Sequence, residues 1–235
     1  MIEVYSWPTP NGHKVHIMLE ECALEYRAFP VNIGQGEQFK PAFLKISPNN
    51  KVPAIIDRKG PGGKPMALFE SGAILIYLAE KTGMFLPKDT RGKFGVIQWL
   101  MFQMASVGPM FGQAHHFRVY APKPIEYCIT RYTNEATRIY GVMNRQLARS
   151  RFIASDKYSI ADMAIYPWTR QHDRHGQDLN NYPHVKRWYD EIGARPAVQR
   201  GVKVLTEFSR GGGPMNAQSK ENLFGATQYK RRKVA

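Results

Sequence analysis

The stretch from Ser47 to Ala73 constrains the architecture more than any other part of the 235-residue chain. It opens as Ser47-Pro48-Asn49-Asn50-Lys51-Val52-Pro53 and runs on through Ala54-Ile55-Ile56. It then turns at Gly60-Pro61-Gly62-Gly63-Lys64 and returns through Leu68-Phe69 to Glu70-Ser71-Gly72-Ala73. Proline fixes φ and lacks an N–H, so Val52-Pro53 marks the beginning of a strand rather than its middle. A glycine-rich turn between two short apolar runs signals a hairpin, and Glu-Ser ahead of a helical apolar pattern signals a helix start. Together these features present exposed main chain beside a helix N-terminus, a pairing suited to holding a small peptide by its backbone and a carboxylate.

The flanking sequence completes an α/β unit. Ile2 to Ser6 reads as a strand, Asn11 to Leu24 as a helix and Tyr26 to Val31 as a second strand. In that helix Val15, Met18, Leu19 and Cys22 form one apolar face, expected to pack inward. A loop from Ile33 to Pro41 contains Gly34 and Gly36. The hairpin runs Pro53 to Asp57 and Pro65 to Phe69, and Ser71 to Lys81 closes the unit as a helix. The order is βαβ followed by ββα. Beyond Arg91 the patterns are helical, as in Gly92 to Val107 and Ile125 to Leu147, punctuated by Pro109, Pro122, Pro124, Pro167, Pro183 and Pro196. Ser159 and Asp162 have the spacing of a capping box at the start of a buried helix. The expected domains are 1–82 and 91–205, with a basic flexible tail over 209–235 that begins at Gly211-Gly212-Gly213-Pro214.

The chain is 43% hydrophobic, enough for one sizeable core or two modest ones. Its apolar runs are broken by charge well before membrane-spanning length, and Met1-Ile2-Glu3-Val4 is no signal peptide, so a cytoplasmic protein with no membrane partner is expected. Cys22 and Cys128 lie far apart, without metal-ligand spacing, and are expected in the core. His115 and His116 are neighbours that point apart on a helix, so no metal is assigned. The net charge of +14 raises nucleic acid as a partner. Much of the excess, however, comes from Arg210, Lys220, Lys230, Arg231, Arg232 and Lys233 in the tail, and nucleic acid is not expected.

Four segments carry a family resemblance: Pro8-Thr9-Pro10-Asn11-Gly12-His13-Lys14, Ser47 to Pro53, Phe69-Glu70-Ser71-Gly72-Ala73 and Gly112-Gln113-Ala114-His115-His116-Phe117. In that order, across about residues 1 to 205, the chain resembles the soluble glutathione transferases, and their Nu class most. The resemblance implies a thioredoxin-like N-terminal domain with a mixed four-stranded sheet and an all-α C-terminal domain. It also implies glutathione as cosubstrate, a homodimer, disulfide-bond reductase chemistry and weak activity toward aromatic electrophiles.

Read against glutathione, the residues divide by role. Val52-Pro53 suits a cis bond that exposes the Val52 main chain to the cysteinyl moiety. Glu70 and Ser71 suit the γ-glutamyl zwitterion, with the helix N-terminus and the Ser71 hydroxyl for its carboxylate and Glu70 for its amine. The resemblance gives the glycyl carboxylate to Gln38 and Lys51, and gives Arg131 a reach to the other subunit's glutathione. No cysteine stands in the Trp7-Pro8-Thr9-Pro10-Asn11 turn, so the reactive sulfur is glutathione's own, its thiolate stabilised by Thr9 and Asn11. The same two residues are also natural helix caps, and the roles are compatible. Tyr5 and Ser6 are competing hydroxyls. Trp7, Met110, Phe111 and Phe117 are candidates for an electrophile pocket. Two alternatives stay open: a transferase or thioether lyase acting on aromatic electrophiles, and a non-catalytic binding or regulatory protein of the same fold.

Overall fold

The computed structural model describes residues 1–208 and 215–230, in two compact units: Met1–Ile74 with the described part of Arg200–Ala235, and Leu75–Gln199. The first unit contains β1 (Ile2–Ser6), α1 (Pro10–Glu21), β2 (Tyr26–Pro30), the short α2 (Pro41–Leu44), β3 (Ala54–Asp57), β4 (Met66–Phe69) and the first turn of α3 (Ser71–Thr82). The strands form one mixed sheet in the order β2-β1-β3-β4, with β1 parallel to β2 and the other pairs antiparallel. Side chains alternate as a pleated strand requires. Ile2, Val4 and Ser6 are buried on one face, while Tyr5 faces the other way and packs with Val31, Phe43, Ala54, Ile46 and Val52.

Helix α1 departs from the amphipathic expectation. Every residue from Gly12 to Leu19 is buried, including His13, Lys14 and His16, so its polar side is enclosed as fully as its apolar side. Gly12 is required at the first turn, because a Cβ there would stand 2.3 Å from the Trp7 carbonyl oxygen and 2.5 Å from Ser6 Oγ.

Among the described residues the second unit is helical: α4 (Thr90–Phe102), α5 (Gly108–His115), α6 (Glu126–Leu147), α7 (Ile160–Thr169), α8 (Pro183–Gly193) and the beginning of α9 (Pro196–Gly201). The helix expected to run unbroken to Val107 widens into π-turns at Gln103–Val107, and again at His116–Tyr120. Pro109 explains the first. It offers no N–H to the carbonyl one turn back, and the ladder opens so that the Gly108 N–H reaches the Gln103 carbonyl instead.

The capping box of α7 forms as expected. Asp162 Oδ2 accepts from the Ser159 N–H (3.0 Å) and Oγ (2.9 Å), and Oδ1 accepts from the Ile153 N–H and Trp188 Nε1, both at 2.8 Å. The carboxyl is fully buried, and burial raises its pKa to about 6 despite these donors.

The C-terminal segment departs from the flexible-tail expectation over the part described. Helix α10 (Ala217–Phe224) and a 3-10 turn at Ala226–Tyr229 belong to the first unit, and α10 packs on the turn at Ile33–Gln35. Asn222 Nδ2 donates to the Gly34 carbonyl at 2.8 Å. Gly36 has a φ of 78°, and its missing side chain leaves room for the Asn222 amide, 3.4 Å from where a Cβ would stand. The Gly211-Gly212-Gly213-Pro214 break and the Arg231–Lys233 cluster lie outside the described residues. Among the described residues no helix is long and apolar enough to cross a membrane.

Candidate functional site

Sheet register brings the candidate residues together. Tyr5, Ala54 and Phe69 occupy one row across β1, β3 and β4. The turn after β1, the Val52-Pro53 step before β3 and the Glu70-Ser71 start of α3 therefore leave the same end of the sheet. Two strand spacings separate the outer members, about 10 Å, the length of an extended tripeptide.

At the first position the chain turns sharply out of β1, with the Thr9 N–H on the Trp7 carbonyl at 2.7 Å. Thr9 is the N-cap of α1. Its Oγ1 accepts from the Gly12 N–H at 3.2 Å, and its own proton has only a long contact to the Trp7 carbonyl at 3.4 Å. With one lone pair used in capping and the proton so weakly held, the hydroxyl keeps a donor that an anion could take. Asn11 follows in the first turn, half-buried. Ser6 is fully buried, and its hydroxyl is directed to the Trp7 carbonyl at 3.4 Å. Tyr5 is removed from competition: its hydroxyl donates to Glu3 Oε2 at 3.0 Å, and its ring stacks on Phe29 on the opposite face of the sheet. Burial and Glu3 raise the pKa of that phenol.

At the second position the Val52-Pro53 bond is cis. No hydrogen bond among the described residues uses the Val52 N–H or C=O. The preceding loop is fixed by Ser47 Oγ, which donates to the Lys51 carbonyl at 2.8 Å, and by the Asn50 N–H on the Ser47 carbonyl at 2.9 Å.

At the third position Glu70 takes a left-handed conformation, φ 68°, while its carbonyl still accepts the first α3 bond from the Ile74 N–H. A non-glycine residue held there marks a backbone fixed by its surroundings, as functional sites often are. Its carboxylate is exposed, with Asn49 Nδ2 at 3.5 Å. Ser71 is buried and accepts from Lys14 Nζ at 3.2 Å. Lys14 was no sequence candidate, because its position on α1 places it off the apolar stripe. Only its burial draws attention to it.

The remaining candidates are placed differently. Gln38 is buried. Its amide N–H goes to the Ile33 carbonyl at 3.2 Å, and its oxygen has no hydrogen-bond partner. The unbonded end of this buried amide is therefore its acceptor oxygen. Lys51 Nζ is engaged by Gln228 Oε1 at 3.0 Å, from the C-terminal segment. Arg131 belongs to the second unit, exposed on α6 beside a cavity of about 640 Å³ lined by Met110, Tyr127 and Arg138. Phe111 is fully buried against Tyr140, and this stacking gives it a core role in that unit. Cys22 and Cys128 are half-buried rather than core residues. Among the described residues no cluster of three or more His, Cys, Asp or Glu side chains could hold a metal.

Comparison with known proteins follows the same division. Residues 1–80 match the family model of the glutathione S-transferase N-terminal domain, and residues 113–196 that of the C-terminal domain. Disulfide-bond oxidoreductase YfcG of Escherichia coli is 52% identical over 203 residues, covering 86% of this chain and 94% of the relative. A glutathione transferase family member from Pseudomonas fluorescens, solved with two glutathione molecules bound, superposes with a TM-score of 0.82 at 48% identity, covering 86% of this chain and 92% of that one. One from Pseudomonas putida, with one glutathione disulfide bound per subunit, gives a TM-score of 0.83 at 46% identity over 86% of this chain and 91% of that one.

Proposed function

The chain belongs to the glutathione S-transferase family, and from that premise we propose that it is a glutathione-dependent disulfide-bond oxidoreductase. The observation that carries this reading is the half-identical relative named for that activity, joined to a relative solved with glutathione disulfide bound. Glutathione lies along the end of the sheet, with its γ-glutamyl group at Glu70 and Ser71 and its cysteinyl main chain on Val52 beside Pro53. Its glycyl carboxylate meets Lys51, with Gln38 behind. Its sulfur reaches Thr9 and Asn11.

There the thiolate is stabilised by neutral donors. The Thr9 proton moves from its long contact with the Trp7 carbonyl to the sulfur, and Asn11 and the N-terminal end of α1 add to the field. Such surroundings lower a thiol pKa from about 8.5 into the range of about 3.5–7.5. The bound thiolate attacks one sulfur of a small disulfide, forming a mixed disulfide and expelling one thiolate. A second glutathione thiolate attacks the glutathione sulfur of that intermediate, giving glutathione disulfide and releasing the other substrate thiolate, and solvent protonates both leaving groups. No protein thiol takes part. The same proposal includes a homodimer in which Arg131 reaches the partner's glutathione, and a cytoplasmic location.

Steady-state assays with a hydroxyalkyl disulfide and with a chlorodinitroarene test the reading. Disulfide reduction is expected to dominate. Turnover of the arene alone supports the transferase alternative, and turnover of neither, with no heat on titrating glutathione, removes the catalytic proposal.

A further inference from the structure

Lys14 is 1% exposed, Ser71 is 5% exposed, and the two meet at 3.2 Å where α3 begins. Burying an ammonium is costly, and an unbranched apolar side chain would fill the same volume without that cost. The location adds to the cost, because the first N–H groups of α3 already make this corner positive. Glu70 is the carboxylate whose field reaches Lys14, and it stands exposed on the turn outside. Positive charge is thus gathered against Ser71, at the end of the sheet where β4 gives way to α3.

The charge of Lys14 also sets the polarity of the contact. In its charged form Lys14 has three donors and no acceptor, so the Ser71 oxygen then accepts from it and the serine proton is turned away from Lys14. That arrangement forms a chain from N–H to O–H to an incoming anion. Resting on the glutathione reading above, we infer that Lys14 is a positioning residue for the γ-glutamyl α-carboxylate, orienting the Ser71 hydroxyl as its donor and supplying the buried charge behind it. Burial lowers the lysine pKa to about 7 while Glu70 opposes the shift, so the ammonium is stabilised when a further anion arrives.

Calorimetric titration tests this with S-methylglutathione and with its analogue in which a 4-aminobutyryl group replaces γ-glutamyl, removing only the α-carboxylate. The wild-type protein is expected to prefer the first by roughly 30-fold or more, as a desolvated charge-assisted contact implies. Lys14→Met is expected to lose on the order of 10-fold for S-methylglutathione while keeping the analogue's affinity, so that discrimination collapses. Lys14→Gln, which keeps a hydrogen bond to Ser71 without the charge, is expected to lose most of the discrimination too, and it stands in should the methionine variant fail to fold. Either folded variant retaining the wild-type ratio overturns the role of Lys14 while leaving the glutathione site intact. A wild-type protein that binds S-methylglutathione but fails to discriminate overturns the carboxylate assignment, and one that binds neither compound overturns the glutathione reading itself.

Discussion

Helices α1 and α7 begin with the same device, a hydroxyl residue capping the first turn, and they finish it differently. At α7 every part is used internally: Ser159 is buried, and Asp162 satisfies four donors through its two oxygens. At α1 the Thr9 hydroxyl accepts from Gly12 but gives its proton only to a distant carbonyl, and the residue is half-exposed. A cap motif tells where a helix starts. How completely its donors are consumed distinguishes a structural cap from one left available to a ligand.

The comparison predicts its largest effect at α7. Asp162→Ala strands the Ile153 and Trp188 donors in the core and is expected to cost about 3–5 kcal/mol in urea unfolding, with little change in the activity of the molecules that remain folded. Thr9→Ala should behave in the opposite way. A stability loss of only about 1 kcal/mol should accompany a fall on the order of 100-fold in kcat/KM for disulfide reduction, while Ser159→Ala shows the same small stability loss at full activity. Equal activity losses at the two caps would erase the distinction.

His16 on α1 and Asp162 on α7 also respond to acid with opposite signs. His16 on α1 is buried neutral with its pKa lowered to about 3, as is His175 in the second unit, and His115 is lowered to about 4. Below pH 6.5 the unfolded chain takes up protons that these native histidines refuse, so stability falls by up to about 1.4 kcal/mol per pH unit for each. Asp162, raised to about 6, binds its proton more readily in the native state and moderates the loss as pH falls from about 6. Urea midpoints taken from pH 7 down to pH 5 should trace this decline, and His16→Gln should flatten it. The smallest effects belong to groups outside the site. Tyr5→Phe, whose hydroxyl serves Glu3, and the double variant Cys22→Ser/Cys128→Ser should each keep turnover within about 2-fold, since losing one peripheral hydrogen bond affects stability rather than chemistry.

The sequence revealed those parts of the molecule that follow from local rules. Alternation in Ile2 to Ser6, the glycine hairpin, the Val52-Pro53 step and the Ser159-Asp162 spacing each produce their signal within a few residues, and each forms where expected. Features that depend on distant partners were not legible. Lys14 reads as one more polar helix position until the fold encloses it. Helix α10 carries no local signal, because its seat on the turn at residues 33–35 includes amide hydrogen bonds, such as Asn222 to Gly34, rather than an apolar stripe that periodicity would expose. The orientation of the Gln38 amide is equally beyond any pattern, since a glutamine in a loop displays neither which end is bound nor whether it is covered.

The return of α10 to the sheet unit has a bearing on biosynthesis. That unit is made from segments on either side of the helical unit. A ribosome delivers residues in order, so the opening strands can pair early, but the ledge formed by the turn at residues 33–35 must wait, uncovered, until α10 emerges. An excised fragment ending at residue 82 would retain the sheet and lose the rim that α10 adds to it.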